Sequence, residues 1–276
     1  ACRDSRTRRQ SCGVIREDQL LGAVLVASGG KIEFEKAYGL ADRGKPVANN
    51  VNTQFRIGSI NKMFTATAIS KLAGEGKIDL AAPLGKYLPD YPNHDVATKV
   101  TIRQLLTHTC GTGDIFTPEY EQHRLDIRQL SDYVKLFGAR GPEFEPGSRW
   151  AYSNYGFVLL GNVIVKVSGI SYYDYVRKNI FLPAGMVSTG SLPEEEKVTE
   201  RSTGYLKKYG ALATNTDTLP WRGSSAGGGY STLEDLFRFA RALASGKLVT
   251  AELFAQMTTK QATPPGAPPS AGYGLR

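Results

Sequence analysis

Ser59-Ile60-Asn61-Lys62 and, 93 residues on, Tyr152-Ser153-Asn154 are the groups whose residue types and spacing suit chemistry. A serine hydroxyl is a weak nucleophile until a neighbour takes its proton. A lysine three residues along a helix lies on the same face, within reach of it. Together they read as a serine acyl-transfer site that uses no histidine base. The bare patterns are weak, because Ser28-Gly29-Gly30-Lys31 and Tyr91-Pro92-Asn93 match them too.

Context separates the copies. Ser28 sits beside a Gly-Gly pair between two strand-like runs, Gly22 to Ala27 and Ile32 to Ala37, which predicts a hairpin turn. Tyr91, between Pro89 and Pro92, is expected in a surface turn. Ser59 instead precedes Met63, Phe64, Ala66, Ala68, Ile69, Leu72 and Ala73, spaced as a helix buried on most sides and ended by Gly74 and Gly76. That places Ser59 at a helix N-terminus, where free N–H groups favour developing negative charge. Pro146-Gly147 predicts a turn, Trp150 to Tyr155 a short loop, and Phe157 to Val167 an apolar helix closed by Gly169. Tyr152 can then point into a cleft, with Asn154 offering a donor and an acceptor to an amide-like substrate.

The segments Phe55 to Thr65, Leu105-Leu106-Thr107-His108-Thr109, Pro146-Gly147 through Gly156, Leu159-Leu160-Gly161 and Ala226 to Thr232 resemble the class C β-lactamase-like serine hydrolases. That family holds D-alanyl-D-alanine carboxypeptidases, esterases and class C β-lactamases. The resemblance runs from about Leu21 to the C-terminus and does not fix the substrate. It implies an α/β (α+β), β-lactamase/transpeptidase-like fold: an antiparallel sheet flanked by helices, with a helical region and the site at their junction. Carried over by position, Ser59 is the acylated nucleophile, Lys62 and Tyr152 share proton transfer, and Asn154 holds the substrate amide or the lysine. The implied partners are small esters, D-amino-acid peptides or β-lactams, in a periplasmic or secreted setting.

The family's third motif, a Lys- or His-led triad ending in Gly, has no match after Tyr230, and the chain stops at Tyr273-Gly274-Leu275-Arg276. The expectation is therefore a chain lacking the C-terminal strands and one of two oxyanion donors. Losing one such donor costs ~2.7–4 kcal/mol of transition-state stabilisation, enough to weaken turnover while leaving the outline of the site.

At 276 residues and 41% hydrophobic content the chain can bury a full core. The expected division is a basic polar tail, 1–20, and one hydrolase domain, 21–276. Half of the net charge of +8 lies in residues 1–16, where Arg3, Arg6, Arg8, Arg9 and Arg16 face Asp4. Elsewhere the charges alternate as on a solvated surface, which argues against nucleic-acid binding. The tail has no apolar run of a signal peptide, and no stretch approaches a membrane span. Cys2, Cys12 and Cys110 have no metal spacing, and His94, His108 and His123 are scattered, so structural or solvated roles are expected. The chemistry calls for no metal or organic cofactor.

Thr101-Ile102-Arg103-Gln104 and Ser231-Thr232-Leu233-Glu234 read as capping boxes, and Ser171 as a further helix start. Segments 142–147, 192–200 and 263–271 read as loops. Two roles for the base stay open. A buried Lys62 can lose its charge and accept the serine proton; a charged Lys62 would favour an ionised Tyr152 as base. Three functions compete: a hydrolase of esters or D-amino-acid peptides, a β-lactamase, or a non-catalytic penicillin-recognising remnant.

Overall fold

A computed structural model describes residues 21–261, 264–266 and 272 of the chain. The basic tail, Cys2 and Cys12, most of the 263–271 loop and Tyr273 to Arg276 lie outside the described residues. Strands β1 (Gly22–Ser28) and β2 (Lys31–Tyr38) pair antiparallel, with Gly22 opposite Tyr38 and Ser28 opposite Lys31. Gly29 and Gly30, at φ +55° and +77°, supply the two left-handed residues that the tight turn needs. The Ser28 copy of the lysine pattern is thus a hairpin, as its context predicts. A second pair, β3 (Leu40–Asp42) and β4 (Val47–Ala48), follows it.

Then β5 (Phe55–Arg56) runs into a 3₁₀ turn, Gly58–Ile60, and on into α1 (Asn61–Gly74). Gly58 has φ +51°, the bend that turns the strand into the helix one residue before Ser59. Nearly all of α1 is buried, because small and apolar residues occupy every face of it. Phe64 meets Phe181 and Phe239 edge-on, with centroids 5.0 and 4.9 Å apart.

The helical region comprises α2 (His94–Lys99), α3 (Ile102–Leu106), α4 (Pro118–His123), α5 (Leu130–Phe137), α6 (Asn154–Ser168), α7 (Tyr172–Val176) and the short α8 (Leu182–Ala184). The Thr101–Gln104 capping box is present, and Ser171 caps α7 through Asp174 N–H. A hairpin of β6 (Tyr205–Lys208) and β7 (Ala211–Thr214) comes next, then β8 (Tyr230–Ser231), α9 (Leu233–Ala244) and α10 (Ala251–Thr258). β8 returns to β5, with Phe55 opposite Ser231 and Arg56 opposite Tyr230. Arg56 also reaches Glu194 at 2.7 Å and Ser202 O at 3.0 Å, so the segment before Ser59 is tied to the 190–202 loop.

Three expectations need correction, and two strand pairs went unread. Tyr91 is buried, not on the surface, because its hydroxyl lies 3.0 Å from that of Tyr155 inside the core. Helix α6 begins at Asn154 rather than Phe157, since the Ser153 hydroxyl caps it through Gly156 N–H at 2.9 Å. The N-cap of α9 is Thr232, whose hydroxyl accepts from Asp235 N–H, so that start falls one residue later than the capping-box reading. The β3–β4 and β6–β7 pairs had no strong period in the sequence; half-exposed residues dilute their alternation.

Gly161, in the middle of α6, faces Ser225. A Cβ there would lie 2.6 Å from Leu130 Cδ1 and inside contact distance of Ser225 Oγ, which donates to Phe157 O at 2.8 Å. Alanine gains about 1 kcal/mol of helix propensity, but overpacking costs ~1–3 kcal/mol and displaces that bond. Gly161→Ala is therefore expected to lower the melting temperature, read by thermal denaturation. An unchanged or raised value would show that the α6 contact with the 224–226 loop is loose.

Candidate active site

Ser59 lies exposed in the 3₁₀ turn, while Lys62, one helical turn on, is buried at 2% relative exposure. Lys62 Nζ lies 3.4 Å from Ser59 Oγ and 2.7 Å from Asn154 Oδ1, and it also donates to Ala226 O. The Tyr152 hydroxyl donates to Ser59 Oγ at 2.8 Å, and Lys62 Nζ sits 4.7 Å from the centre of the Tyr152 ring. All four residues singled out in the sequence thus meet at one point. The second Ser-x-x-Lys and Tyr-x-Asn copies take no part.

Three elements hold this point in place. From α1, Asn61 Nδ2 donates to Ser224 O at 2.7 Å and Thr65 Oγ1 to Ser225 O at 2.7 Å. With the Lys62 bond to Ala226 O, three successive carbonyls of the 224–226 loop are pinned to one helix face. Gly228 N–H donates to Gly58 O at 3.2 Å, closing the loop over the turn that carries Ser59. The third element is the loop after α3. His108, buried at φ +58°, accepts Ala151 N–H on its carbonyl at 2.9 Å and Ser153 N–H on Nδ1 at 3.1 Å. Its ring stacks on Tyr152 at 4.5 Å, so this histidine braces the tyrosine. Ser153 Oγ donates to Gly113 O at 2.6 Å.

Two contributors were not found from the sequence. Asp114 Oδ1 accepts from Asn154 Nδ2 at 2.9 Å, and Ala226 offers only its backbone oxygen. A carbonyl carries no side-chain signature. Asp114 had only a weak one, an acid in a Gly-flanked polar loop. Of the two roles the sequence reading offered Asn154, the contact with the lysine is present: its oxygen is held by Lys62, and its amide nitrogen donates to Asp114. Cys110 is free and buried beside Thr112, with Sγ 3.2 Å from its hydroxyl.

Burial pulls the Lys62 ammonium down from 10.5 to about 7, against an opposing pull from the Asp114 charge. Burial pushes the Tyr152 phenol up; its bond to Ser59 pulls it back, and the Asp114 charge adds to the rise. Near neutral pH the arrangement therefore holds a substantial fraction of neutral amine beside a protonated phenol. A neutral amine has two N–H donors and one lone pair. Asn154 Oδ1, Ala226 O and Ser59 Oγ all accept from Nζ, one for each hydrogen of an ammonium; the neutral amine keeps two hydrogens and can turn its lone pair to the serine. Among the described residues no group of three or more His, Cys, Asp or Glu side chains could hold a metal ion.

Residues 14–276 match the Beta-lactamase family. Penicillin-binding protein 4* of Bacillus subtilis is 33% identical over 241 residues, which are 82% of this chain and 52% of that protein. The chain spans 37% to 63% of the length of the first relatives it matches by sequence. Among solved structures, a penicillin-binding protein from Bacillus halodurans aligns at TM-score 0.83 and 32% identity, covering 98% of this chain and 82% of its own. A D-stereospecific amidohydrolase from a Streptomyces species aligns at TM-score 0.76 and 30% identity, covering 99% and 82%.

The lowered Lys62 value makes a stability prediction with a definite sign. Between about 7 and 10.5 the unfolded chain binds a proton at Lys62 that the folded chain does not. Stability contributed at this position therefore rises with pH across that window and is flat below it. Compared with Lys62→Met, the wild type is expected to gain stability steadily from pH 7 to 10, read as the difference in denaturation midpoints. A constant difference would mean that the amine stays charged in the folded state.

Proposed function

We propose, on the premise that the chain belongs to the Beta-lactamase family of serine hydrolases, that it hydrolyses esters or D-amino-acid amides and peptides through an acyl-enzyme on Ser59. The observation that carries this reading is the buried Lys62 Nζ, held by two carbonyl-type acceptors within 3.4 Å of Ser59 Oγ. Lys62 is the base: it takes the Ser59 proton as Oγ attacks the substrate carbonyl carbon. The 3.4 Å separation suits an unliganded site, where catalytic hydrogen bonds are long before substrate tightens them. Tyr152, protonated and 2.8 Å from Ser59 Oγ, is placed to give its proton to the leaving alkoxide or amine as the tetrahedral intermediate collapses. The Lys62 ammonium then restores it. Water releases the acid from Ser59 by the same proton path in reverse.

The N–H of Ser59, at the open start of a helical turn, supplies one oxyanion donor. The remaining amide hydrogen of Asn154 faces the substrate's own amide carbonyl. Support for the D-amino-acid class comes from the likeness to the Streptomyces amidohydrolase. A second reading, acylation by β-lactams with slow release, is favoured by the similarity to proteins named for penicillin binding.

Labelling with a fluorophosphonate and with a fluorescent penicillin tests both readings. The adduct is expected on the Ser59 peptide and absent from Ser59→Ala; retention in that variant would move the nucleophile elsewhere. Fast hydrolysis of p-nitrophenyl esters would favour the ester or peptide reading, a long-lived penicillin adduct without ester turnover the second reading, and rapid loss of that adduct would mark a β-lactamase instead. Lys62→Ala and Tyr152→Phe are each expected to slow acylation by about 100-fold or more. Because the two groups act as a unit, the double variant should lose little beyond the worse single one. A loss equal to the product of the two would separate them into independent roles.

A further inference from the structure

Asn154 reaches Lys62 through an amide whose two ends are chemically opposite but similar in shape. Only the oxygen can accept from Nζ; were the amide turned over, its NH₂ would face the amine and its oxygen would face a carboxylate. What decides the orientation lies outside the residues assigned to the reaction. Asp114 Oδ1 accepts from Asn154 Nδ2 at 2.9 Å and from Ile115 N–H at 2.6 Å, so the carboxylate is fixed by its own backbone while it holds the amide. The Asp114 carbonyl in turn accepts from Arg140 Nη1 at 3.2 Å, and Gly113 O, one residue earlier, accepts from Ser153 Oγ at 2.6 Å. The turn is anchored at three successive residues, and its acid faces a side chain that is itself buried.

We propose that Asp114 is a positioning residue for acyl transfer, which orients the Asn154 amide with its oxygen toward Lys62. The inference rests on the reading of Lys62 as the base. Lys62 is surrounded by Ser59 on its own helix, by Tyr152, Asn154 and Phe157 from the start of α6, and by the Ala226 carbonyl from the 224–226 loop. Tyr152 is the titratable group in that shell. Asp114, one residue further out, supplies the charge that acts on Lys62 from the loop after α3. A negative charge there favours the ammonium, so removing it lets the neutral amine persist to lower pH.

Two variants of the full chain separate charge from geometry. Asp114→Asn keeps an oxygen that can accept from Asn154 and loses only the charge; Asp114→Ala loses both. The rate of fluorophosphonate labelling at Ser59 is measured from pH 5 to 9, with thermal melting as a control for folding. Asp114→Asn is expected to move the acid limb of the profile down by about one pH unit with a small change in plateau. Asp114→Ala is expected to shift the limb in the same sense and to lose 10-fold or more of the plateau. A limb that stays in place or moves up in a folded Asp114→Asn protein overturns the inference, even if Asp114→Ala fails to fold. Lys62→Ala distinguishes the two levels: wild-type labelling in that variant would sink the reading of Lys62 as base, whatever Asp114 does. Loss of labelling there with an unmoved Asp114→Asn profile would sink the inference about Asp114 alone.

Discussion

The buried amine of Lys62 is the constraint around which the rest is arranged. An ammonium taken from water into a protein interior is costly unless it is paired, and among the described residues no carboxylate is in ion-pair contact with this one. The molecule meets the cost by surrounding Nζ with dipoles and letting the proton leave near neutral pH. That solution requires three separate chain segments, α1, the start of α6 and the 224–226 loop, to converge within hydrogen-bond reach of one atom. A shift in any of them would leave a buried donor unmatched, which costs ~1–3 kcal/mol.

This explains why polar residues line helices that otherwise look like plain core. Asn61 and Thr65 would be liabilities inside an apolar α1, yet each pins a carbonyl of the 224–226 loop, and Tyr172 joins both through its hydroxyl at 3.2 and 2.7 Å. Gly161 lets α6 approach that same loop. Around the amine the aromatic faces of Tyr152 and Phe157 add cation-favouring surface while excluding water. Reactivity and packing are here one set of contacts, so changes that loosen the core should be felt at Ser59.

The loop after α3 plays a different part. It touches none of the reacting atoms, but through His108, Gly113 and Asp114 it fixes the backbone, the hydroxyl and the amide of residues 151–154. Tyr152 itself is 41% exposed and would otherwise be free to swing away. The histidine's ring supplies a stacking face and one acceptor, and its left-handed backbone supplies a carbonyl pointing the same way.

The sequence alone singled out the four side chains that meet at the site, because serine and lysine share a helix face by spacing, and the tyrosine and asparagine sit where an apolar helix begins. It also determined that the Gly29-Gly30 copy was a hairpin, since two adjacent glycines between alternating runs leave little else to form. Tertiary structure decided what local patterns cannot carry. Tyr91 looked like a turn residue between prolines and is buried, because its hydroxyl finds Tyr155 across 64 positions of chain. The contacts of Ala226 and Asp114 were not legible, one because it acts through its backbone and the other because its partner is distant in sequence. Composition and spacing could not say how deeply the Lys62 amine is buried or which oxygens surround it. Burial and coordination are properties of the assembled chain, set only when three remote segments close on Nζ.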